Sequence, residues 1–259
     1  MVKGLYTAYT GLMNEQNRMD IMTNNLANAS TVGFKKEGTT SQSFNDLLTL
    51  KIKDSSVGMQ NVQRIGTMSP GVKIGENYTD YSQGSFRETG NTYDLALSGN
   101  GFFAIEFTNK AGETSTKYTR AGQFALNKDG YLVTQDGDYV LDTQSRRIQL
   151  NTLMDASIKT DGTIEQNGRN VAKIQIADFE NYDYLKKYGE TYYEPLEGAQ
   201  MRAADATVQS GYLEMANVQI VSEMVNLISI TRAYESNQKI VQTYDDTLDV
   251  AVNQLGRIR

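Results

Sequence analysis

The sequence predicts an α+β chain: long N- and C-terminal helices pair as a coiled-coil-like domain, and the region between them is all-β. Three observations predict it. Each end carries an apolar stripe of period seven, the middle is punctuated by Asp-Gly and Asn-Gly dipeptides, and the two ends carry opposite net charge. The expected organisation is a first helix over 1–35, an extended connector over 36–69, a β domain over 70–205 and a second helix over 206–259.

In the first segment Leu5, Leu12, Met19 and Leu26 recur every seven residues, with Ala8, Tyr9, Met22 and Ala29 filling the row between. Only Gly11 opposes a helix here, so the expected helix runs about 25 residues, roughly 37 Å. It should stop around Ser30-Thr31-Val32-Gly33, where β-branched residues meet a glycine. Residues 36–69 are polar and mixed, which reads as a connector that folds partly on the rest. From about residue 70, Asp129-Gly130, Asp136-Gly137, Asp161-Gly162 and Asn167-Gly168 separate short runs such as Tyr131-Leu132-Val133 and Tyr139-Val140-Leu141. That is hairpin chemistry. Pro70 and Pro195 sit near the two edges of this region.

The last segment repeats the stripe more strongly. Ile220, Leu227, Tyr234, Val241, Leu248 and Leu255 keep seven-residue spacing, and Met224, Ile230, Tyr244, Ala251, Val252 and Ile258 supply a second row. Apart from Gly256, neither Pro nor Gly interrupts Glu214 to Ile258. The implied helix is about 45 residues, on the order of 67 Å, and a stripe sustained this long reads as coiled coil. Residues 1–36 carry a net +2 (Lys3, Arg18, Lys35 and Lys36 against Glu15 and Asp20), whereas 214–259 carry a net −2. That asymmetry favours pairing of the ends.

Composition removes whole classes of function. The chain has 259 residues and a net charge of −6, with no Cys and no His. Disulfides, thiolate zinc sites, Cys nucleophiles and His-dependent triads are excluded, and no metal or cofactor is expected. The acidic balance argues against nucleic acid as a partner. No apolar run exceeds four residues (Phe102-Phe103-Ala104-Ile105), so no membrane span is expected. The first residues lack the apolar stretch of a cleaved secretory signal, which implies a cytoplasmic address unless export uses another route.

Individual motifs add less. Gly99-Asn100-Gly101-Phe102-Phe103-Ala104 fits a dinucleotide-binding pattern, but that pattern must be followed by a helix and this continuation is strand-like. It reads as a tight turn between strands. Asp178, Glu180, Asp183, Glu190 and Glu194 are too common a residue type here to single out a catalytic pair. Tyr182, Tyr184, Tyr188, Tyr192 and Tyr193 read as half-buried aromatics more readily than as a sugar or protein surface. Asn24, Asn25 and Asn28 are poor helix-interior residues crowded just before Gly33. They are expected at subunit contacts, where an amide fixes register.

These asparagines open a recognisable block. Asn24-Asn25-Leu26-Ala27-Asn28 through Thr31, Gly33, Phe34 and Lys35 resembles the N-terminal signature of the flagellar basal-body rod and hook proteins. Asp94-Leu95-Ala96-Leu97-Ser98-Gly99-Asn100-Gly101-Phe102-Phe103 is similar to their central block. Gly211-Tyr212-Leu213-Glu214-Met215-Ala216-Asn217-Val218, followed by Glu223-Met224-Val225-Asn226-Leu227-Ile228 and Arg232-Ala233-Tyr234-Glu235, resembles their C-terminal blocks. Val32 departs from the family pattern, where many members have Pro. Length and the Gly-Phe-Phe block favour the distal-rod type or its close paralogue, since the hook protein's inserted outer domain has little room here.

The resemblance implies a non-enzymatic structural subunit. The two terminal helices would form an inner, axial-core domain with the β domain outside, and copies would stack into a hollow helical tube that transmits torque and passes later subunits. Implied partners are further copies, other rod and hook subunits, the flagellar export apparatus, and ring (bushing) proteins or the cell wall. The implied location is the basal body, outside the cytoplasmic membrane, reached without a cleaved signal. The stripe residues Leu5 to Leu26 and Ile220 to Leu255 would pack subunits, and Asn24, Asn25, Asn28, Gly33 and Asn217 would be family-motif contacts. Phe44-Asn45-Asp46-Leu47-Leu48 is similar to the export-gate motif of these subunits, with Phe44 and Leu48 as its fixed points. Alternatives of other classes are a peptidoglycan-cleaving enzyme and a secreted coiled-coil adhesin.

Overall fold

The computed structural model describes residues 2–52, 62–110 and 112–253. The chain is α+β and divides into two units. Unit 1 comprises Met1–Leu26, Glu37–Asp80 and Ile220–Arg259, and unit 2 comprises Ala27–Lys36 and Tyr81–Gln219.

Unit 1 is built on the helices α1 (Val2–Ala27) and α2 (Ile220–Asn253). Along α2, beside the half-buried Thr231 and Ala251, a buried or half-buried row runs through Glu223, Leu227, Ile230, Tyr234, Asn237, Val241 and Tyr244. Their alternating steps of four and three keep one face of the helix turned inward. Two glycines of α1 lie directly beneath this row. A Cβ on Gly4 would run into the Tyr244 hydroxyl, and one on Gly11 would sit 3.0 Å from the Asn237 amide nitrogen. Gly11, which disfavours a helix by propensity, is tolerated because it admits a close neighbour.

The described strands of unit 1 form a two-stranded ribbon. Strand β1 (Glu37–Ser43) pairs antiparallel with β4 (Val72–Thr79), and β2 (Leu47–Ile52) pairs with β3 (Val62–Met68). This nesting is that of one long hairpin with a break in the middle. At the break the Phe44 amide donates to the Gly71 carbonyl at 3.0 Å, and the Ser69 hydroxyl donates to the carbonyls of Phe44 and Gly71, both at 3.2 Å. The ribbon touches α1 where the Thr7 hydroxyl donates to the Pro70 carbonyl (3.2 Å) and the Ser41 hydroxyl donates to Asn14 Oδ1 (3.2 Å).

Unit 2 is β throughout its described strands. Its largest sheet runs β16 (Leu185–Tyr188), β17 (Tyr192–Pro195), β8 (Thr114–Thr119), β7 (Phe102–Thr108), β11 (Tyr139–Val140), β10 (Leu132–Thr134) and β9 (Phe124–Leu126). Strand β15 (Ile176–Phe179) pairs with β7 and with β18 (Met201–Ala203). Around it lie β12 (Ala156–Ile158), β13 (Thr163–Gln166) and β14 (Arg169–Lys173), then β19 (Ala206–Ser210) on β6 (Leu95–Gly99), and β20 (Tyr212–Glu214) on β5 (Phe86–Glu88). The four-residue apolar run lies in β7, and both faces of that strand are buried. Phe103 enters a core with Leu95, Leu97, Leu132 and Ile164, while Phe102 and Ala104 enter a second with Phe179, Leu185 and Tyr193. Uninterrupted hydrophobicity is what a strand covered on both sides requires. The Gly99-Asn100-Gly101 segment links β6 to β7, so a strand follows it rather than the helix a nucleotide site needs.

Three expectations are corrected. The C-terminal helix opens at Ile220, not at Glu214, because Tyr212–Glu214 pairs with β5 and Leu213 and Glu214 are buried there. The polar stretch expected as an extended connector is largely strand, and β4, expected in the β domain, pairs with β1 instead. Ladder hydrogen bonds between backbones need no apolar alternation, so Ser-, Thr- and Gln-rich sequence hides them. Leu255 and Ile258 lie outside the described residues.

Candidate functional site

Two features answer to the sequence signals, one in each unit. In unit 1 the stripe positions divide. Leu5, Leu12, Met19 and Leu26 of α1 and Leu227, Tyr234 and Val241 of α2 are half-buried, whereas Ile220 and Leu248 are exposed. More apolar surface lies away from this row: Val221, Met224, Val225, Ile228, Val250 and Val252 on α2, and Tyr6, Tyr9 and Met13 on α1, are all exposed. Between the helices a groove is lined by Glu15, Arg18 and Met22 on one side and Asn226, Ser229, Ile230 and Ala233 on the other. Arg18 donates to both oxygens of Glu15, at 3.1 and 3.0 Å.

The asparagines do not act alike. Asn24 is exposed. Asn25 is fully buried, donates to the Glu37 carbonyl (2.7 Å) and accepts from the Glu37 amide (2.9 Å). Its amide therefore bonds within the chain. Asn28 is buried and accepts from the Thr31 hydroxyl at 3.1 Å. Phe44 is half-buried at the ribbon break, and Leu48 stands opposite Thr67 in the β2–β3 ladder.

In unit 2 the stretch after α1 folds as two tight turns, with the Thr31 amide donating to the Asn28 carbonyl (3.1 Å) and the Phe34 amide to the Thr31 carbonyl (3.4 Å). Val32 is accommodated there, half-buried. Gly33 has φ +70° and donates its amide to the Glu214 carbonyl at 2.8 Å. Phe34 is fully buried, with the Lys187 ammonium 4.2 Å above its ring. Lys35 then runs inward. Its ammonium donates to the Glu214 carboxylate at 2.6 Å and to the Ser82 carbonyl at 2.7 Å. Arg120 reaches the other Glu214 oxygen at 3.2 Å, and the Gly84 amide donates to the first at 3.0 Å. Asn217 Oδ1 accepts from the Lys36 amide (2.7 Å), while its Nδ2 donates to Ser82. The N- and C-terminal signature blocks are thus clamped to one another. Arg120 belongs to no signature block, and nothing local in the sequence marks it.

Three family models match along the chain in order. A flagella basal body rod protein model matches residues 5–35, a flagellar hook protein FlgE/F/G D1 domain model matches 96–166, and a flagellar basal body rod FlgEFG protein C-terminal model matches 209–255. The chain is 35% identical to the flagellar basal-body rod protein FlgG of Bacillus subtilis (strain 168) over 272 residues, covering 98% of this chain and 99% of that one. The chain belongs to the flagellar basal-body rod protein family. It is also 34% identical to the rod protein FlgF of Caulobacter vibrioides over 260 residues, covering all of both chains, and 32% identical to FlgG of Agrobacterium fabrum over 280 residues. As a rod protein it is a structural component of the flagellar basal body and associates with other flagellar parts.

Carboxylates elsewhere in this rod protein hold strands in place. Asp178 is buried, and its carboxylate accepts from Arg202 Nε (2.6 Å) and from the Tyr182 hydroxyl (2.7 Å). Burial pushes its pKa up, but these hydrogen bonds outweigh it and hold the group below the usual carboxylate range. The Tyr192 hydroxyl lies 3.0 Å from Asp136 and 2.9 Å from Asp138, tying the turn before β11 to β17. Of the tyrosine-rich stretch, Tyr193 is fully buried and Tyr192 nearly so, whereas Tyr184 and Tyr188 are exposed. No described helix is long and apolar enough to cross a membrane.

Proposed function

We propose that α1 and α2 pair as a coiled coil forming the axial core of a hollow rod, in which copies of the chain stack helically. The observation that carries this reading is the exposed apolar face of α2. Val221, Met224, Val225 and Ile228 lie in water in the single chain. Burying one such side chain contributes about 1.5–3 kcal/mol, and a repeating interface gains that at every subunit. The chain works without catalysis on this reading: its chemistry is packing, the tube transmits torque and the bore passes later subunits. Neighbours are further copies and other rod and hook subunits. Phe44 and Leu48 serve as the export-gate motif during passage through the flagellar export apparatus, and ring proteins or the cell wall meet the outside of the rod.

The test is electron microscopy of basal bodies from a deletion strain supplied with the Leu227→Asp variant. Rods should be missing or truncated and swimming lost, because the half-buried row then carries a carboxylate without a partner. Complete rods in swimming cells would overturn the assembly role of this helix.

A further inference from the structure

Glu214 lies 179 residues after Lys35 and 94 after Arg120, yet all three side chains are buried together in unit 2. A chain emerging from its N-terminus therefore presents both cations long before their carboxylate. Arg120 is 3% exposed. Apart from Glu214, its hydrogen bonds go to the carbonyls of Leu97 and Gly99, and its Nε has no partner among the described residues. Closing the protein around that guanidinium without a carboxylate is strongly disfavoured. Lys35 would at the same stage lack its shortest bond.

We propose that Glu214 is a charge latch. The region around β6–β8 closes over Arg120, and the signature segment 33–36 docks, only once the Glu214 carboxylate is in place. The N-terminal part of unit 2 consequently stays open until nearly all of the chain has emerged. Glu214 is suited to the task because it also bonds the Gly84 amide through its side chain and the Gly33 amide through its carbonyl. One residue closes the loop before β5 and the turn after α1 together.

Strands β19 and β20 also arrive late, so the test must remove the charge and keep them. In the full-length Glu214→Gln variant, hydrogen exchange followed by mass spectrometry should show amides of 27–36 and 95–121 exchanging at least 100-fold faster than in the wild type. A triple variant, Lys35→Met with Arg120→Met and Glu214→Met, has no charge to balance and should regain at least tenfold of that protection. A Glu214→Gln variant that stays more protected than this, or a triple variant as open as Glu214→Gln, overturns the latch.

Discussion

The side chain of Asn25 and the backbone of Glu37 exchange a pair of hydrogen bonds, 2.7 Å out and 2.9 Å back, of the kind two paired strands exchange. The helix α1 thereby fixes where β1 begins. An amide is suited to this position because it offers one donor and one acceptor in the geometry of a peptide group.

Asn25→Ala should destabilise the protein by about 2–3 kcal/mol, since it leaves the donor and acceptor of Glu37 without that partner at a buried site. Urea unfolding followed by circular dichroism measures this. A loss under about 1 kcal/mol would mean that water replaces both bonds.

Gly33→Ala should be more harmful than its size suggests. The residue has φ +70°, and a Cβ there would press on the Ala121 amide and approach the Arg120 carbonyl carbon to 2.5 Å. The left-handed conformation alone disfavours alanine by roughly 1–2 kcal/mol, and the overlap is with backbone, which cannot rotate away. A fall in thermal midpoint, with faster exchange at 119–122, is the expected outcome. An unchanged midpoint would show that the turn can move off β8.

What the sequence disclosed and what it hid follow from the range of the interaction. The Asn167-Gly168 turn between β13 and β14 was legible because the conformation is local: both residues have positive φ, 51° and 74°, as a two-residue hairpin turn demands. The inward row of α2 was legible in part, since Leu227, Tyr234 and Val241 keep their period whatever they pack on. Ile220, where the helix is only beginning, and Leu248 fall outside this row and are exposed in the single chain. The β1–β4 ribbon stayed hidden because Ser, Thr and Gln on an exposed two-stranded ladder show no apolar alternation. Arg120 was invisible for a different reason. Its partner is 94 residues away, and no local pattern encodes a contact at that distance. Asn25 was noticed as an amide needing specific partners, and Glu37, twelve residues on, supplies two of them.

Stability should depend on pH with opposite signs at two carboxylates. Burial raises the Asp138 pKa above the ordinary 3.8; hydrogen bonds from Tyr192 and the Thr108 backbone oppose that rise, and the Asp136 charge adds to it. Ionising Asp138 is therefore harder in the folded state, so stability falls as pH rises from 3.8 through the raised value. Asp138→Asn should gain stability over the wild type near neutral pH, and the gain should vanish below 3.8. Asp178 behaves oppositely. Its lowered pKa gives stability that is present above 3.8 and lost as pH falls through the folded value. Asp178→Asn should be less stable than the wild type at neutral pH, with the two converging in acid. Thermal melts of both variants across pH 3–8 check the signs, and parallel curves for either variant and the wild type would refute that assignment.

Assembly and folding should separate at Val225. Its side chain is 60% exposed in the single chain, so replacing it with Asp removes little buried contact. Asp and Val have similar helix propensities. Monomer stability should stay within about 0.5 kcal/mol of the wild type, as for most surface substitutions. In a stacked rod the same position would bury that carboxylate in every subunit, where an unpaired charge is strongly disfavoured. Cells carrying Val225→Asp should therefore make a folded, protease-resistant subunit and fail to extend the rod, while Val225→Leu should swim. Rods of normal length with Asp at this position would show that the exposed face of α2 is not what neighbouring subunits cover.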